Sequence, residues 1–386
     1  MPTVSRLTPY ATTIFAEMSQ LAVTHGAINL GQGFPDTDGP ASMLAAACSQ
    51  ITGGNNQYPP GPGVPLLRQA VADHQSRCHG LDYDPDTEVL ITVGATEAIA
   101  GSLVGLVEPG AEVVVIEPYY DAYAAATAMA GGVRRTVPLV ADGDTFTLDR
   151  DALAATVSDR TAVLVLNSPH NPTGTVLSAD DLQAIASVCI AHDVIVLSDE
   201  VYEHQVFDGR PHRSIATLPG MRERTLRISS AAKTFNVTGW KVGWVSGPAE
   251  LVAATRTAKQ FMSFVGSGPF QPAVTHALNT QMPWVHQARE DLARKRDLIS
   301  EALRNIGFGV HHTAGTFFVC ADPRPLGYRD GEQLCRDLPQ RVGVAAVPVS
   351  AFVDNAEPWS HLVRFAFAKR DEVLTEAVAR LQTLTD

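Results

Sequence analysis

Three features of this 386-residue chain predict an α/β protein: recurrent β-branched runs, the helical stretches between them, and ample apolar residues for a large core. The runs are short and nearly continuous in apolar character. Strands of that kind, alternating with helices, belong in a mainly parallel sheet buried on both faces. The predicted architecture is a large domain on a mainly parallel seven-stranded sheet covered by helices on both faces, plus a smaller α+β domain. Hydrophobic residues make up 45% and charged residues 18%, which is globular composition, far from the disordered range.

In chain order, residues 1–44 read as an N-terminal arm with a short helix. Gly31, Gly33, Pro35, Gly39 and Pro40 make it turn-rich, and it is expected to join the small domain. The large domain is expected over 45–285. Its strands are predicted at Val89–Val93, Val113–Ile116, Ala162–Leu166, Val194–Ser198, Thr225–Ser229 and Val242–Ser246. The small domain is expected over 286–386, opening with a helical pattern that starts near Met282 and runs to Ile306. Short strands are predicted at Gly315–Cys320, Val342–Val347 and His361–Phe367, and a last helix near Glu372–Leu384.

Lys plus Arg number 29 and Asp plus Glu 41, so the formal charge is 29 − 41 = −12. That argues against a nucleic-acid partner, which calls for a concentrated basic face. It argues equally against binding to anionic membranes. The five cysteines (Cys48, Cys78, Cys189, Cys320, Cys335) are scattered and odd in number, which fits a reducing cytoplasm rather than a disulfide framework. Met1–Met18 has no continuous apolar region, so no signal peptide is expected. No metal-ligand spacing is present, and His311-His312 reads as a surface pair.

In open parallel sheets, ligands bind beyond the carboxyl ends of the strands. Gly94-Ala95-Thr96-Glu97 follows the first strand and opens a helix, which suits an anion because free N–H groups and the dipole point outward there. Asn167 to Gly174 follows the third predicted strand, Asp199 and Tyr202 the fourth, Ser230 and Lys233 the fifth. Gly239, Lys241 and Gly243 come next. Each has an ordinary structural use, as a helix start, a turn, a cap or a surface lysine. Together they place an anion site, amides, a carboxylate and a lysine on one sheet edge, as a phosphorylated nitrogen-containing cofactor requires.

The ordered set Asn171-Pro172-x-Gly174, Asp199-x-x-Tyr202, Ser230-x-x-Lys233 and Gly239-x-Lys241-x-Gly243 resembles the fold-type I aminotransferases of class I/II, which use pyridoxal 5′-phosphate. The resemblance spans about Ala27 to Phe367. Asn29-Leu-Gly-Gln-Gly-Phe-Pro-Asp36 and Asn56-Gln-Tyr58-Pro-Pro-Gly61-x-Gly63 are similar to the branch holding kynurenine aminotransferase, glutamine transaminase K and bacterial methionine aminotransferases. Cys320 to Tyr328 and His361 to Phe365 look closest to actinobacterial N-succinyldiaminopimelate aminotransferases of lysine biosynthesis.

The resemblance implies that Lys233 holds the cofactor covalently and moves the substrate's Cα proton. It implies that Asp199 pairs with the pyridine nitrogen, that Tyr202 and Asn171 bond the ring oxygen with Asn167 close by, and that Tyr120 stacks on the ring. Gly94, Ala95, Thr96, Ser230 and Lys241 would hold the phosphate, Lys241 standing where many relatives carry arginine. Tyr58 would reach the phosphate of a neighbouring subunit, making a homodimer with shared active sites. Arg364 would bind the substrate α-carboxylate with help from Asn171 and Gly33. Phe15 would line the side-chain pocket, with Tyr10 and Phe264 as further candidates.

The implied reaction exchanges an amino group between an L-amino acid, glutamate first, and a 2-oxo acid. The alternative within the branch is a broad kynurenine, glutamine or methionine aminotransferase with cysteine-conjugate β-lyase side activity. Other classes fit poorly. Ser230-Ala-Ala-Lys233 is an SxxK as in penicillin-binding serine acylases, but no KTG follows. Gly31-Gln-Gly33 lacks the third glycine and preceding strand of a dinucleotide site. A regulator that keeps this fold as a sensor carries a DNA-binding domain ahead of it, and Asn29 stands too close to the start for one.

Overall fold

The computed structural model describes residues 3–385. Its main sheet has eight strands, one more than the seven expected. Their spatial order is 89–93, 242–246, 225–230, 195–199, 161–167, 112–117, 133–142 and 145–148. Val242–Ser246 is antiparallel to both neighbours, and Thr145–Leu148 is antiparallel to Val133–Asp142. The pairings between 225–230 and 133–142 are all parallel.

Neither Val133–Asp142 nor Thr145–Leu148 was expected. The physical reason is composition. Arg134, Arg135 and Pro138 interrupt the first, and its residues alternate between half-buried and exposed at its start. It lies near the sheet edge, where a partly wet strand is stable, and the 145–148 strand then covers it as a hairpin.

Alternating side chains feed two different cores, which is why these strands read as continuous apolar runs. Val113, Val115, Val163, Val165, Leu197 and Ile228 pack with Ile99, Leu103 and Tyr123 on one face. Val114, Ile116, Leu164, Leu166 and Val196 pack with Leu153, Leu182 and Ile185 on the other. Helices Gly94–Leu106, Asp121–Ala130 and Ala249–Lys259 cover the first face, and Ala179–Ala191 the second. The last begins in a capping box, Ser178 with Asp181, which satisfies two N-terminal amides.

A second sheet is antiparallel throughout, in the order 309–310, 318–322, 363–366, 347–348. Helix Met282–Ile306, at its expected limits, packs on it with Gly331–Arg341 and Asp371–Gln382. The strand expected from Gly315 starts only at Phe318, because Thr316 has φ +69° and breaks the extended run. Ile28–Asn29 pairs in parallel with Val344–Ala345, so the arm is tied to this part of the chain. Among the described residues, no helix is long and apolar enough to cross a membrane.

Candidate active site

A cavity of about 330 Å³ opens where the carboxyl ends of the main strands face the second sheet. Each strand delivers one part of it. Val93 ends the first strand, and Gly94 turns directly into a helix with φ +72°. Asn167 and Asp199 end neighbouring strands and are register partners. Ser230 ends the next, and a single helical turn, Ala231–Thr234, follows and carries Lys233. Arg364 comes from the second sheet, paired with Cys320 and Val347.

The Asn167 side chain is a two-way brace. Its amide donates to the Asp199 carbonyl (2.8 Å), and its oxygen accepts from the Asn171 N–H (2.8 Å). The Asp199 carboxylate accepts from the Tyr123 hydroxyl at 2.6 Å and from the Val201 N–H at 3.3 Å. Burial pushes its carboxyl up to about 6, against the pull of those bonds and of Lys233. A protonated pyridine nitrogen placed beside it would reverse that shift.

Lys233 donates from Nζ to the Gly33 carbonyl at 2.9 Å. Its ammonium lies 5.1 Å from the Phe317 ring centroid and 5.9 Å from that of Tyr202. Burial first, then the nearby Arg364 and Lys241 cations, bring its amine down to about 8, with Asp199 opposing. Such an amine is available as a nucleophile and base close to neutral pH. Tyr202 is buried edge-on against Phe317 and Phe318, and desolvation raises its phenol, which stays protonated.

Arg364 is 1% exposed. It donates to the Asn171 side chain at 2.8 Å and to the Gly31 carbonyl at 2.7 Å, while its Nε is buried without a partner. Its guanidinium lies 4.0 Å from the Phe318 ring centroid and 5.4 Å from that of Phe15. Desolvation brings it down to about 10. Among the described residues no carboxylate bonds it, so a buried cation faces the cavity in need of an anion.

At the other end stands a phosphate-sized cradle. A Cβ at Gly94 would meet Lys241 Nζ at 3.2 Å, and a Cβ at Gly243 would meet Gly94 at 2.6 Å. The two glycines thus let Lys241 and the Gly94 turn approach closely, and the first residues of the Gly94–Leu106 helix, Ser230 and Lys241 line this end of the cavity. Cradle, carboxylate, lysine and ring-facing tyrosine fit pyridoxal phosphate in chemistry and in order.

The structure brings Gly33, Phe15, Gly94, Ala95, Thr96, Tyr120, Asn167, Asn171, Asp199, Tyr202, Ser230, Lys233, Lys241 and Arg364 to this one cavity. Tyr58 stands outside it and is 81% exposed, edge-on to Phe264 at 5.7 Å. Tyr10 lies elsewhere too, accepting from Arg134. The sequence reading missed Tyr123. It sits in the first turn of helix Asp121–Ala130, edge-on to the Tyr120 ring at 5.8 Å. Gln32, Phe34, Asp121 and Thr238 also line the cavity and carry no local signature.

Behind the site lies an ion network that spacing alone does not reveal. Glu200 and Glu203 flank Tyr202's turn, and both engage the buried Arg227. His212 bonds Glu200, His79 bonds Glu203, and Ser198, Ser214 and Ser229 supply the remaining donors. His74, Glu203 and His204 also bring possible ligand atoms within 4.8 Å. The two histidines, however, already bond each other at 2.9 Å, and burial keeps both neutral.

This fold and site define a transaminase, and the chain belongs to the aminotransferase class I and II family, whose model matches residues 25–381. It is therefore an enzyme that uses pyridoxal 5′-phosphate and acts on small amino and oxo acids. Among individual proteins, it is 58% identical to a Mycobacterium tuberculosis protein described as "Probable N-succinyldiaminopimelate aminotransferase DapC", over 100% of this chain and 99% of that one. It is 39% identical to the methionine aminotransferase of Escherichia coli, over 98% of each. The solved structure of the N-succinyldiaminopimelate aminotransferase from Mycobacterium tuberculosis superposes with a TM-score of 0.98 at 60% identity, covering 99% of this chain and all of that one.

Proposed function

We propose that the enzyme is an N-succinyldiaminopimelate aminotransferase of lysine biosynthesis, with glutamate as amino donor and N-succinyl-2-amino-6-oxopimelate as acceptor. The observation that carries this reading is the 58% identity along the full chain, against 39% for the methionine enzyme. The chain is read as a cytoplasmic homodimer whose sites are shared through Tyr58, with the division 1–44, 45–285 and 286–386. The exposed Tyr58–Phe264 pair supports the dimer, and the second, antiparallel sheet with its own strand order supports the division.

In this reading the Gly94–Thr96 turn, Ser230 and Lys241 hold the cofactor phosphate. Asp199, set by Tyr123, holds the ring nitrogen, and Asn171 with Tyr202 holds the ring oxygen. When bound, pyridoxal phosphate supplies an electron sink for the charge that develops at the substrate Cα. Arg364 takes the α-carboxylate in a bidentate fork and fixes which Cα bond faces Lys233. Lys233 Nζ removes the Cα proton and carries it. Phe317 and Tyr202, the rings beside Lys233 Nζ, keep water from the lysine.

One observation favours the broader kynurenine, glutamine or methionine reading, with β-lyase side activity. The cations lining the cavity are Lys233, Lys241 and Arg364, each already given a role in this reading, and Phe15 and Phe34 line it as well. A succinylated tail needs a further donor, which on the shared-site reading comes from the partner. Titration of the visible absorbance band with single amino acids decides. Glutamate and N-succinyldiaminopimelate should shift it at the lowest concentrations. A shift by kynurenine or methionine at lower concentration would replace the proposal with the broader reading.

A further inference from the structure

Lys259 has no place in the chemistry above, yet it is one of the most deeply buried charges in the molecule, 1% exposed. It ends the helix Ala249–Lys259. Its Nζ donates to the carbonyl of Gly61 at 3.1 Å and to that of Phe264 at 2.6 Å. Both acceptors are neutral, and Glu97 is the carboxylate whose field it feels. A buried ammonium is costly unless its donors are fully used. Here the two carbonyls belong to two separate loops, so the charge joins them.

One loop is Tyr58-Pro-Pro-Gly61, and the other runs from Phe261 to Gly268. They lie against each other: the rings of Tyr58 and Phe264 meet edge-on at 5.7 Å, and a Cβ at Gly268 would meet the Gln57 carbonyl at 3.1 Å. Phe264 and Ser267 both have φ near +60°, a conformation that non-glycine residues hold only under constraint. At the far end Gln271, fully buried, repeats the arrangement, accepting from Val64 N–H and donating to the Gly266 carbonyl, 2.8 Å each. The outward product of this bracing is an exposed aromatic pair.

We propose that Lys259 is a positioning residue acting across the subunit interface: by clamping these two loops it sets Tyr58 for the cofactor phosphate of the partner subunit. This rests on the shared-site dimer proposed above. A role within its own subunit is the competing outcome, because Ser267 of the same loop donates to the Trp240 and Lys241 carbonyls beside the chain's own phosphate cradle.

Lys259→Met keeps the aliphatic stem and removes the donors. The dissociation constant of pyridoxal phosphate, read from the visible band that needs the Lys233 amine, should rise about tenfold, the equivalent of one hydrogen bond. Sedimentation should still show a dimer. Hybrid dimers of Lys259→Met with Lys233→Ala, isolated by two different tags, decide the direction. Their one competent Lys233 faces a Tyr58 loop held by an intact Lys259, so cofactor affinity at that site should return to the wild-type value. A Tyr58→Phe with Lys233→Ala hybrid is the control and should recover likewise.

If the control recovers and the Lys259 hybrid stays weak, Lys259 acts within its own subunit and the proposal is wrong. If the control does not recover, the shared-site reading itself falls, and the inference with it. A Lys259→Met homodimer with unchanged affinity overturns the proposal outright. Should that variant not fold, Lys259→Gln, which retains two N–H donors, takes its place in the same hybrids.

Discussion

The Tyr123 hydroxyl donates a 2.6 Å hydrogen bond to Oδ2 of Asp199, and both groups are fully buried beneath the cavity. Burial and the adjacent carboxylate hold the phenol well above its ordinary range, so it remains a donor at any physiological pH. Tyr123→Phe removes that donor without changing the ring. Catalytic efficiency should fall about tenfold, because the freed carboxylate is left short of one buried bond. Unchanged kinetics would remove Tyr123 from the machinery.

The same carboxylate predicts a pH effect in the cofactor-free protein. Its pKa is raised from 3.8 to about 6, chiefly by burial. A raised folded-state value contributes stability that is complete below about 4 and is lost as pH rises through 6, to the extent of about 3 kcal/mol. Chemical denaturation of the apoprotein between pH 4 and 7 should show this slope, and Asp199→Asn should flatten it.

Lys233 runs the other way. Its amine is lowered from 10.5 to about 8 by burial, Arg364 and Lys241. The corresponding stability is present above 10.5 and is lost as pH falls through 8. The free amine should therefore appear with a midpoint near 8. Reductive methylation of the apoprotein, followed at this residue by mass spectrometry, measures it; a midpoint near 10.5 would contradict the environment described. Lys233→Ala should abolish transamination.

Arg364→Lys keeps the charge and loses the fork. A lysine's three N–H donors cannot hold both carboxylate oxygens in a planar fork and also serve Asn171 and the Gly31 carbonyl. Catalytic efficiency should drop about a hundredfold for every amino acid tested, consistent with loss of one charge-assisted bond. A loss confined to one substrate would place this residue at the side chain rather than the carboxylate.

Arg227→Met tests the network behind the site. Two glutamates would be left buried without their shared cation. Breaking a buried ion pair from one side costs about 3–5 kcal/mol, so the melting temperature should fall by many degrees. A variant of unchanged stability would mean that the imidazole and hydroxyl bonds to the two glutamates suffice without the cation.

Much of this site could be read from the sequence because its chemistry is local. Gly94-Ala95-Thr96 sits where a strand turns straight into a helix, and Asp199 and Ser230 each end a strand. Strand ends in a parallel sheet share an edge, so residues scattered over more than a hundred positions must meet there. Tyr123 was missed because a tyrosine among apolar helix residues looks like core until its hydroxyl finds a partner. The strands Val133–Asp142 and Thr145–Leu148 were missed because edge strands carry charge and lack the apolar run that marks the centre of the sheet.

By itself, then, the order of residues determined the strand–helix alternation, the sheet edge that carries the chemistry, and the family. The first two are short-range properties of periodicity and spacing; the family follows from the resemblance of the ordered motifs and from the family match over residues 25–381. Only the tertiary structure decided how far burial moves Lys233 and Asp199, that Arg364 faces the cavity with its Nε unpartnered, and that Glu200 and Glu203 share the buried Arg227. Desolvation and Coulomb interaction depend on what surrounds a group in space, and its surroundings here come from residues up to two hundred positions apart, as Lys233 and Gly33 are.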